Sequence, residues 1–391
     1  NDKPDRDDLS FRRKQDDAEF PINFELGVRG TELVLHKGVI QGQELDLLLR
    51  ELTLRVSHIE NFDQLPIQLR VIASDIERGE AWVMKEGDLA KSIRASMSVP
   101  AVFAPVRIGD RLLVDGGIVG NLPVDDMQAM GVDVIIAVDV EFPLYGPEDL
   151  GSVLTISEQM LTILIRKETL RQIERLGDRD VLIRPELGLY ASTNFSDILS
   201  TIEPGVTAAK EQSAKLANIS LGQDAWDEHL AQRKMPIEPA SHLAFVRVVH
   251  DGKLAPAVLE SKLSVAAGDA IDPALLARNA DRLYGLQLYE QVSYKLVQED
   301  VGTGVEYRAR TKSWGPTFLQ FGVSLEDDFE GSTAFNLGAR LTRAGVNRLG
   351  AEGRHDLHLG TDPAFFSEFY QPLSSNSRVF VAPHINLEQS N

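Results

Sequence analysis

The sequence predicts an α/β domain, then a small α+β domain, then the start of an antiparallel transmembrane β-barrel. Three observations carry that expectation. Leu112 to Val124 reads as an apolar strand, an Asp-Gly-Gly turn and a new helix; Phe245 to Ala309 reads as β-α-α-β-β; from Leu319 onward, segments of about ten residues alternate between an apolar and a polar face.

The chain has 391 residues, too many for one ordinary core, and two or three domains are expected. Its 59 acidic and 40 basic residues give a net charge of −19, which repels phosphate backbones and argues against nucleic acid as a partner. Cysteine is absent, so no disulfide is needed, and this leaves the compartment open. No stretch has the roughly 18 consecutive apolar residues of a membrane-spanning helix, and no signal peptide is present in a sequence that opens on Asn1.

Residues 1 to about 20 carry Asp7-Asp8, Arg12-Arg13-Lys14 and Asp16-Asp17 and read as a solvated surface segment. Phe24 to Leu35, with Gly27 and Gly30, suggests a short hairpin. After Gly42, the i, i+3, i+4, i+7 spacing of Leu45, Leu48, Leu49 and Leu52 predicts an amphipathic helix with these leucines on one face. Leu69, Val71 and Ala73 alternate as in a strand, and Glu77-Arg78-Gly79-Glu80 turns into Ala81 to Met84. Asp88 is an N-cap candidate for a helix through Met97, ended by Pro100. Ser96 and Ser98 lack the small flanking residues of a nucleophile elbow, so packing or capping is expected of them.

At the turn, Gly116 and Gly117 allow a sharp bend that leaves Asp115 at the C-terminal end of its strand, which in an α/β sheet faces the ligand crevice. Asn121 and Pro123 lead into a helix that Gly131 ends. Val134 to Val138 reads as a strand buried on both faces of a parallel sheet. Ser152 is placed to cap a long helix with Val153, Ile156, Met160, Ile163, Leu164 and Leu170 on one stripe. Val181 to Pro185 reads as an edge strand, and a helix over about Val206 to Ala217 closes the domain.

The order of Asp88 to Pro105, Asp115-Gly116-Gly117 with Asn121 and Pro123, and Gly131 to Val140 resembles the second half of the catalytic domain of bacterial patatin-like phospholipases. The resemblance implies a lipid acyl hydrolase of phospholipase A type working through a Ser-Asp dyad, with Asp115 as its base and Gly116 and Gly117 supporting the turn. No Gly-x-Ser-x-Gly elbow and no glycine-rich oxyanion loop occur in the 391 residues. The expectation is therefore an N-terminally truncated piece with no hydrolase activity of its own, an intact pseudoenzyme being the other account. An Asp base needs no histidine, and His36 and His58 read as surface or packing residues. A capping or turn role for Asp139 stands beside a catalytic one. His355 and His358, three apart on a strand, fall on opposite faces, so no metal site is indicated and no cofactor is expected.

Trp226 to Ser241, with Pro236 and Pro239, breaks the composition and reads as a linker. Beyond it come the strand Phe245 to Val249, a short helix with Leu259 and Leu263, and a second helix capped by Asp272-Pro273 and ended at Gly285. Two strands follow, Val292/Tyr294/Leu296 and Val305/Tyr307/Ala309. That order is similar to a POTRA module. The alternation after Leu319 fits a lipid-facing barrel or a soluble antiparallel sheet, and the POTRA-like unit before it favours the barrel. Glu368 to Leu373 also resembles an early barrel segment of outer-membrane secretion proteins. Only about five strands are expected, too few for a closed barrel, which implies a C-terminally incomplete chain.

Across three regions the sequence thus resembles a type Vd autotransporter, a patatin-like phospholipase fused to a POTRA domain and an outer-membrane barrel. The expected boundaries are 1–225, a linker at 226–241, 242–313 and 314–391. The partners implied are a phospholipid or other lipid ester and outer membrane lipid, with a homodimer left open, and the implied location is the Gram-negative outer membrane with the front domain secreted or at the cell surface. The competing reading is a translocation or assembly module with a non-catalytic front domain, whose α+β unit captures strands by edge addition.

Overall fold

A computed structural model describes residues 2, 6–9, 12–14, 25–35, 38, 40–100, 102–140, 143–188, 195–233, 241–327, 333–360 and 363–388. Two compact units emerge, one of residues 1–60, 100–104 and 237–391, the other of 61–99 and 105–236.

The first unit opens with β1 (Glu25–Arg29) and β2 (Glu32–Val34), the expected hairpin, turning at Gly30 with φ 62°. Its other partner was not legible locally: β1 pairs antiparallel with a strand near residue 320, in the register Glu25↔Gln320. Helix α1 (Gln43–Thr53) follows Gly42, as expected, but buries a different face. Leu48 and Leu52 of the predicted stripe are 51% and 72% exposed, while Gln43, Asp46, Leu47, Leu49 and Arg50 are buried. The reason is what that face meets, the edge of a strand described below.

In the second unit, β3 (Val71–Asp75), β4 (Glu80–Met84), β5 (Val106–Ile108) and β6 (Arg111–Asp115) form an antiparallel sheet in the order β4-β3-β6-β5. All five residues of β3 are buried, where alternation predicted one open face. Helix α2 (Leu89–Ser96) starts at Asp88, whose Oδ1 accepts the Lys91 N–H at 3.0 Å, the predicted cap. The turn after β6 becomes α3 (Gly117–Gly120), and α4 (Val124–Ala129) follows. Among the described residues strand β7 (Ile136–Val138) pairs with β8 (Val181–Ile183) alone, in parallel as expected. It is not buried on both faces, however: Ile136 and Val138 are 50% and 49% exposed, because among the described residues no layer covers that side. Between them runs α5 (Val153–Ile173), capped reciprocally by Ser152 and Thr155; Val153, Met160 and Leu164 of its apolar stripe are exposed. Helices α6 (Ile202–Glu211) and α7 (Ser213–Ala217) pack Ala208 and Leu216 on β8. Where composition suggests a linker, Gln223–Gln232 is helical, and residues 234–240 with Pro236 and Pro239 lie outside the described residues. So do Asp16, Asp17, Phe24 and His36.

The chain then returns to the first unit with β9 (Val246–His250), two helices at Pro256–Glu260 and Pro273–Tyr284, β10 (Tyr289–Glu299) and β11 (Gly302–Thr311). This is the β-α-α-β-β order expected. Strand β11 is central, antiparallel to β10 and parallel to β9, with Val292↔Ala309, Tyr294↔Tyr307 and Leu296↔Val305 in register on the buried face. Asp272 caps its helix by accepting from Ala274 N–H at 3.0 Å. Leu276, Leu283, Val292 and Tyr307 form a core that Leu47 and Leu54 from the first 60 residues also enter. The free edge of β10 is where α1 lies. The Gln43 side chain donates to Val292 C=O at 2.8 Å and accepts from Val292 N–H at 2.9 Å, as a paired strand residue would, and Arg50 donates to Tyr294 C=O at 2.9 Å.

Six further strands follow: β12 (Thr317–Asp327), β13 (Thr333–Arg343), β14 (Glu352–Gly360), β15 (Ala364–Pro372), β16 (Phe380–Val381) and β17 (His384–Glu388). With β1 and β2 they build one eight-stranded sheet, not five strands, ordered β16-β15-β14-β13-β12-β1-β2 with β17 on β15. The sheet is inside-out. Arg340, Thr342, Glu352, Arg354 and Asp356 are buried, while Leu337, Leu341, Leu357, Leu359 and Phe369 are exposed. Arg340 holds Asp356 through two bonds of 2.8 Å. The buried face also receives Arg12, which pairs with Glu352 and Glu368, and Arg13, which pairs with Glu352. The expectation of a solvated N-terminal segment fails at these two arginines, because the acids of β14 and β15 draw them in.

Candidate active site

Asp115 ends β6, pinned from three sides. Its residue pairs with Ala73 of β3, its C=O accepts from Ser74 Oγ at 2.6 Å, and its N–H donates to Ser98 C=O at 3.0 Å. Gly116 N–H then donates to Ser96 C=O at 3.3 Å, so the residues that end α2 serve the turn through their carbonyls. Ser98 Oγ is fully buried, accepting from Arg94 Nη1 at 2.7 Å and donating to Arg94 C=O at 2.8 Å, the packing role expected of it.

The two glycines are required for closeness, not for unusual dihedrals. Gly116 has φ −66° and neither glycine has positive φ, so the expectation of a glycine-only bend is corrected. A Cβ on Gly116 would stand 2.2 Å from Ile72 O, and one on Gly117 would stand 3.0 Å from Asp115 Oδ1 and 3.1 Å from Asn121 Oδ1. The sheet is likewise antiparallel rather than the parallel one whose C-terminal edge was expected to deliver the acid.

The half-buried Asp115 carboxylate accepts one hydrogen bond among the described residues, from Gly117 N–H to Oδ1 at 2.8 Å. Burial raises its pKa above the ordinary carboxylate value, and the Gly117 N–H offsets only part of that. Among the described residues nothing donates to Oδ2. No serine hydroxyl among the described residues donates to this carboxylate. Asn121 ties the following helix to α5 through Thr169 Oγ1 at 3.2 Å, and Gln172 accepts the Asp125 N–H at 3.0 Å; sequence reading named Asn121 but not these partners, which lie 47 or more residues away.

Asp139 is buried and paired with Arg184 at 2.9 Å, which satisfies a structural role. His58 is exposed, and His355 donates to or accepts from Ser367 Oγ at 2.9 Å on the exposed face of β14, opposite His358. No group of three metal-ligating side chains occurs among the described residues.

Residues 7–127, which include the whole Asp115 turn, match the family model described as patatin-like phospholipase. An uncharacterized NTE family protein of Mycobacterium tuberculosis is 38% identical over 22% of this chain and 24% of its own length. A second from that organism is 25% identical over 38% of this chain and 29% of its own length. A lysophospholipase of Aspergillus niger, nte1, is 40% identical over 17% of this chain and 4% of its own. The chain thus spans about a quarter of the length of the first of these relatives. A structure of Haemophilus ducreyi BamA lacking POTRA domains 1-3 aligns at 16% identity over 37% of this chain and 27% of that one, with a TM-score of 0.28, and carries no weight for the fold. The matches at the front of the chain support a patatin-like phospholipase domain there.

Proposed function

We propose that this chain carries the base half of a lipid acyl hydrolase of patatin type, in a protein anchored in or secreted through the outer membrane by its own barrel. The observation that carries the reading is Asp115, a carboxylate with a raised pKa and, among the described residues, one oxygen without a donor, on a turn inside the region that matches the phospholipase family. In the proposed reaction Oδ2 takes the proton of a serine hydroxyl as its oxygen attacks the ester carbonyl, then returns that proton to the departing alcohol. It next takes a proton from water, whose oxygen attacks the acyl-serine and frees the fatty acid and the serine. The substrate class, a phospholipid or lysophospholipid ester, is drawn from the relatives' names.

The barrel, POTRA-like and outer-membrane parts of the proposal rest on the inside-out C-terminal sheet and on the β-α-α-β-β order before it. A translocation module with a non-catalytic front domain is the second reading, and one observation serves it: among the described residues β9 has no strand on its outer edge, whereas the edge of β10 is taken by Gln43 and Arg50. The deciding experiment compares ester hydrolysis by this chain with that of a longer parent carrying a serine elbow. No serine-dependent turnover is expected from the chain, and Asp115→Asn in the parent should lower kcat by roughly 10²–10⁴-fold. Turnover by the chain that a fluorophosphonate abolishes, or a parent indifferent to Asp115→Asn, refutes the proposal.

A further inference from the structure

The first unit contains a cavity of about 490 Å³ far from Asp115 in sequence, within the size range of small-molecule sites. One wall is apolar, formed by Leu254, Val258, Leu288 and Leu349. Lys262 and Arg378 also line it: among the described residues Lys262 Nζ reaches the Asn376 C=O, at 3.4 Å, and the Arg378 backbone N–H donates to Asn376 Oδ1 at 3.1 Å. Neither side chain has an acidic partner among the described residues. Arg12 and Arg13 also line the cavity, but they are engaged by Glu352 and, for Arg12, by Glu368, so two cations face two carboxylates there.

We propose that this cavity binds a single long-chain fatty acid, its carboxylate on Lys262 and Arg378 and its chain along Leu254, Val258, Leu288 and Leu349. Charge complementarity decides the head: two cations that line a pocket with an apolar wall and have no carboxylate partner among the described residues suit one anion that accepts two donors. Size suits the tail, since a volume of about 490 Å³ has room for one acyl chain. Burial lowers the Lys262 pKa, so the empty site penalises its charge, and an anion there removes that penalty. The inference uses nothing of the hydrolase reading. A fatty acid is also what acyl hydrolysis releases, yet the site and its test involve no ester.

The test is photolabelling of the full chain in lipid vesicles with a palmitate bearing a diazirine at its chain end, followed by mapping of the labelled peptides. Label should fall on the segments around Val258 and Leu349 and be displaced by unlabelled palmitate but not by methyl palmitate. Lys262→Gln with Arg378→Gln should raise the half-displacing concentration by about tenfold or more, and Lys262→Arg should restore it. Val258→Trp, which fills the cavity, should remove the label with both cations present. The proposal is overturned if the methyl ester competes as well as the acid. It is also overturned if the doubly neutralised protein, with an unchanged circular dichroism spectrum, is labelled at the same concentrations, or if label is confined to lipid-facing positions such as Leu341 and Leu357.

Discussion

Replacing Gly116 by alanine is the sharpest perturbation of the Asp115 turn. The new methyl would stand 2.2 Å from the Ile72 carbonyl oxygen and 2.9 Å from its carbon, against the 3.4–4 Å of ordinary contact, so the turn and β3 must separate by about an ångström. Both sides are backbone, and β3 is tied to β6 through Ala73↔Asp115 and Ser74↔Val114, so no flexible side chain absorbs the strain. Overpacking of this kind costs about 1–3 kcal/mol, which raises the local opening equilibrium by about five- to 150-fold. Hydrogen exchange of the Asp115 and Gly116 amides, which donate to Ser98 and Ser96, reads that opening directly. Gly120→Ala is the matched control: its methyl meets only the Ile72 Cγ2 at 3.4 Å, and helix propensity favours it by about 0.5–1 kcal/mol. Equal protection in the two variants would refute the claim that close approach is what requires glycine at 116.

Three other outcomes follow from the same geometry. Because burial raises the Asp115 pKa, its contribution to stability is full below the unfolded value, about 3.9, and is lost as pH rises through the folded value. Asp115→Asn, which keeps an acceptor for Gly117 N–H, should therefore melt higher than the parent at neutral pH, with the gap closing on acidification; a gap that widens in acid contradicts the shift. Gln43→Ala leaves the N–H and C=O of Val292 without the bonds they now make and should cost about 1–3 kcal/mol, seen as faster exchange at the Val292 amide with little change at Leu296. Leu357→Trp, on the exposed apolar face of β14, should fluoresce at short wavelength in vesicles and be quenched by brominated lipid, whereas Thr342→Trp on the buried polar face should not; equal quenching of the two rules out a lipid-facing sheet.

Much of the architecture is written locally. Asp88 and Asp272 cap their helices because a short carboxylate followed by a helical run has one favourable use, and the alternation in β13 and β14 separates Arg340 and Asp356 from Leu341 and Leu357. Long-range partners are not written that way. Nothing near Glu25 announces a strand 295 positions on, yet Glu25↔Gln320 moves the hairpin into the C-terminal sheet. Helix α1 shows the physical limit of periodicity. Counting leucines finds the apolar stripe, but a strand edge needs hydrogen-bond donors and acceptors, so the polar Gln43, Asp46 and Arg50 are buried and Leu52 is not. At the candidate site the Asp115 turn was legible as a motif, whereas the reason for Gly116, a carbonyl 44 residues upstream, required the fold.

The chain's own carboxylates supply the comparison that gives Asp115 its meaning. Asp75, two pairs along the same ladder, has burial working against its charge. Arg78 and the N–H groups of Glu77 and Arg78 outweigh it, so its pKa falls. Arg111 adds a second guanidinium at 3.0 Å. Asp139, buried at the end of β7, is held by Arg184. Both are satisfied, as acids kept for structure are. Among the described residues Asp115 has one backbone donor and no cation, and its pKa moves the opposite way. The fold holds the backbone of this residue by two hydrogen bonds and leaves its side chain half-satisfied, which is what the proposed role as a proton acceptor requires. If structure alone were its purpose, an asparagine in its place would do the same work at neutral pH with less cost.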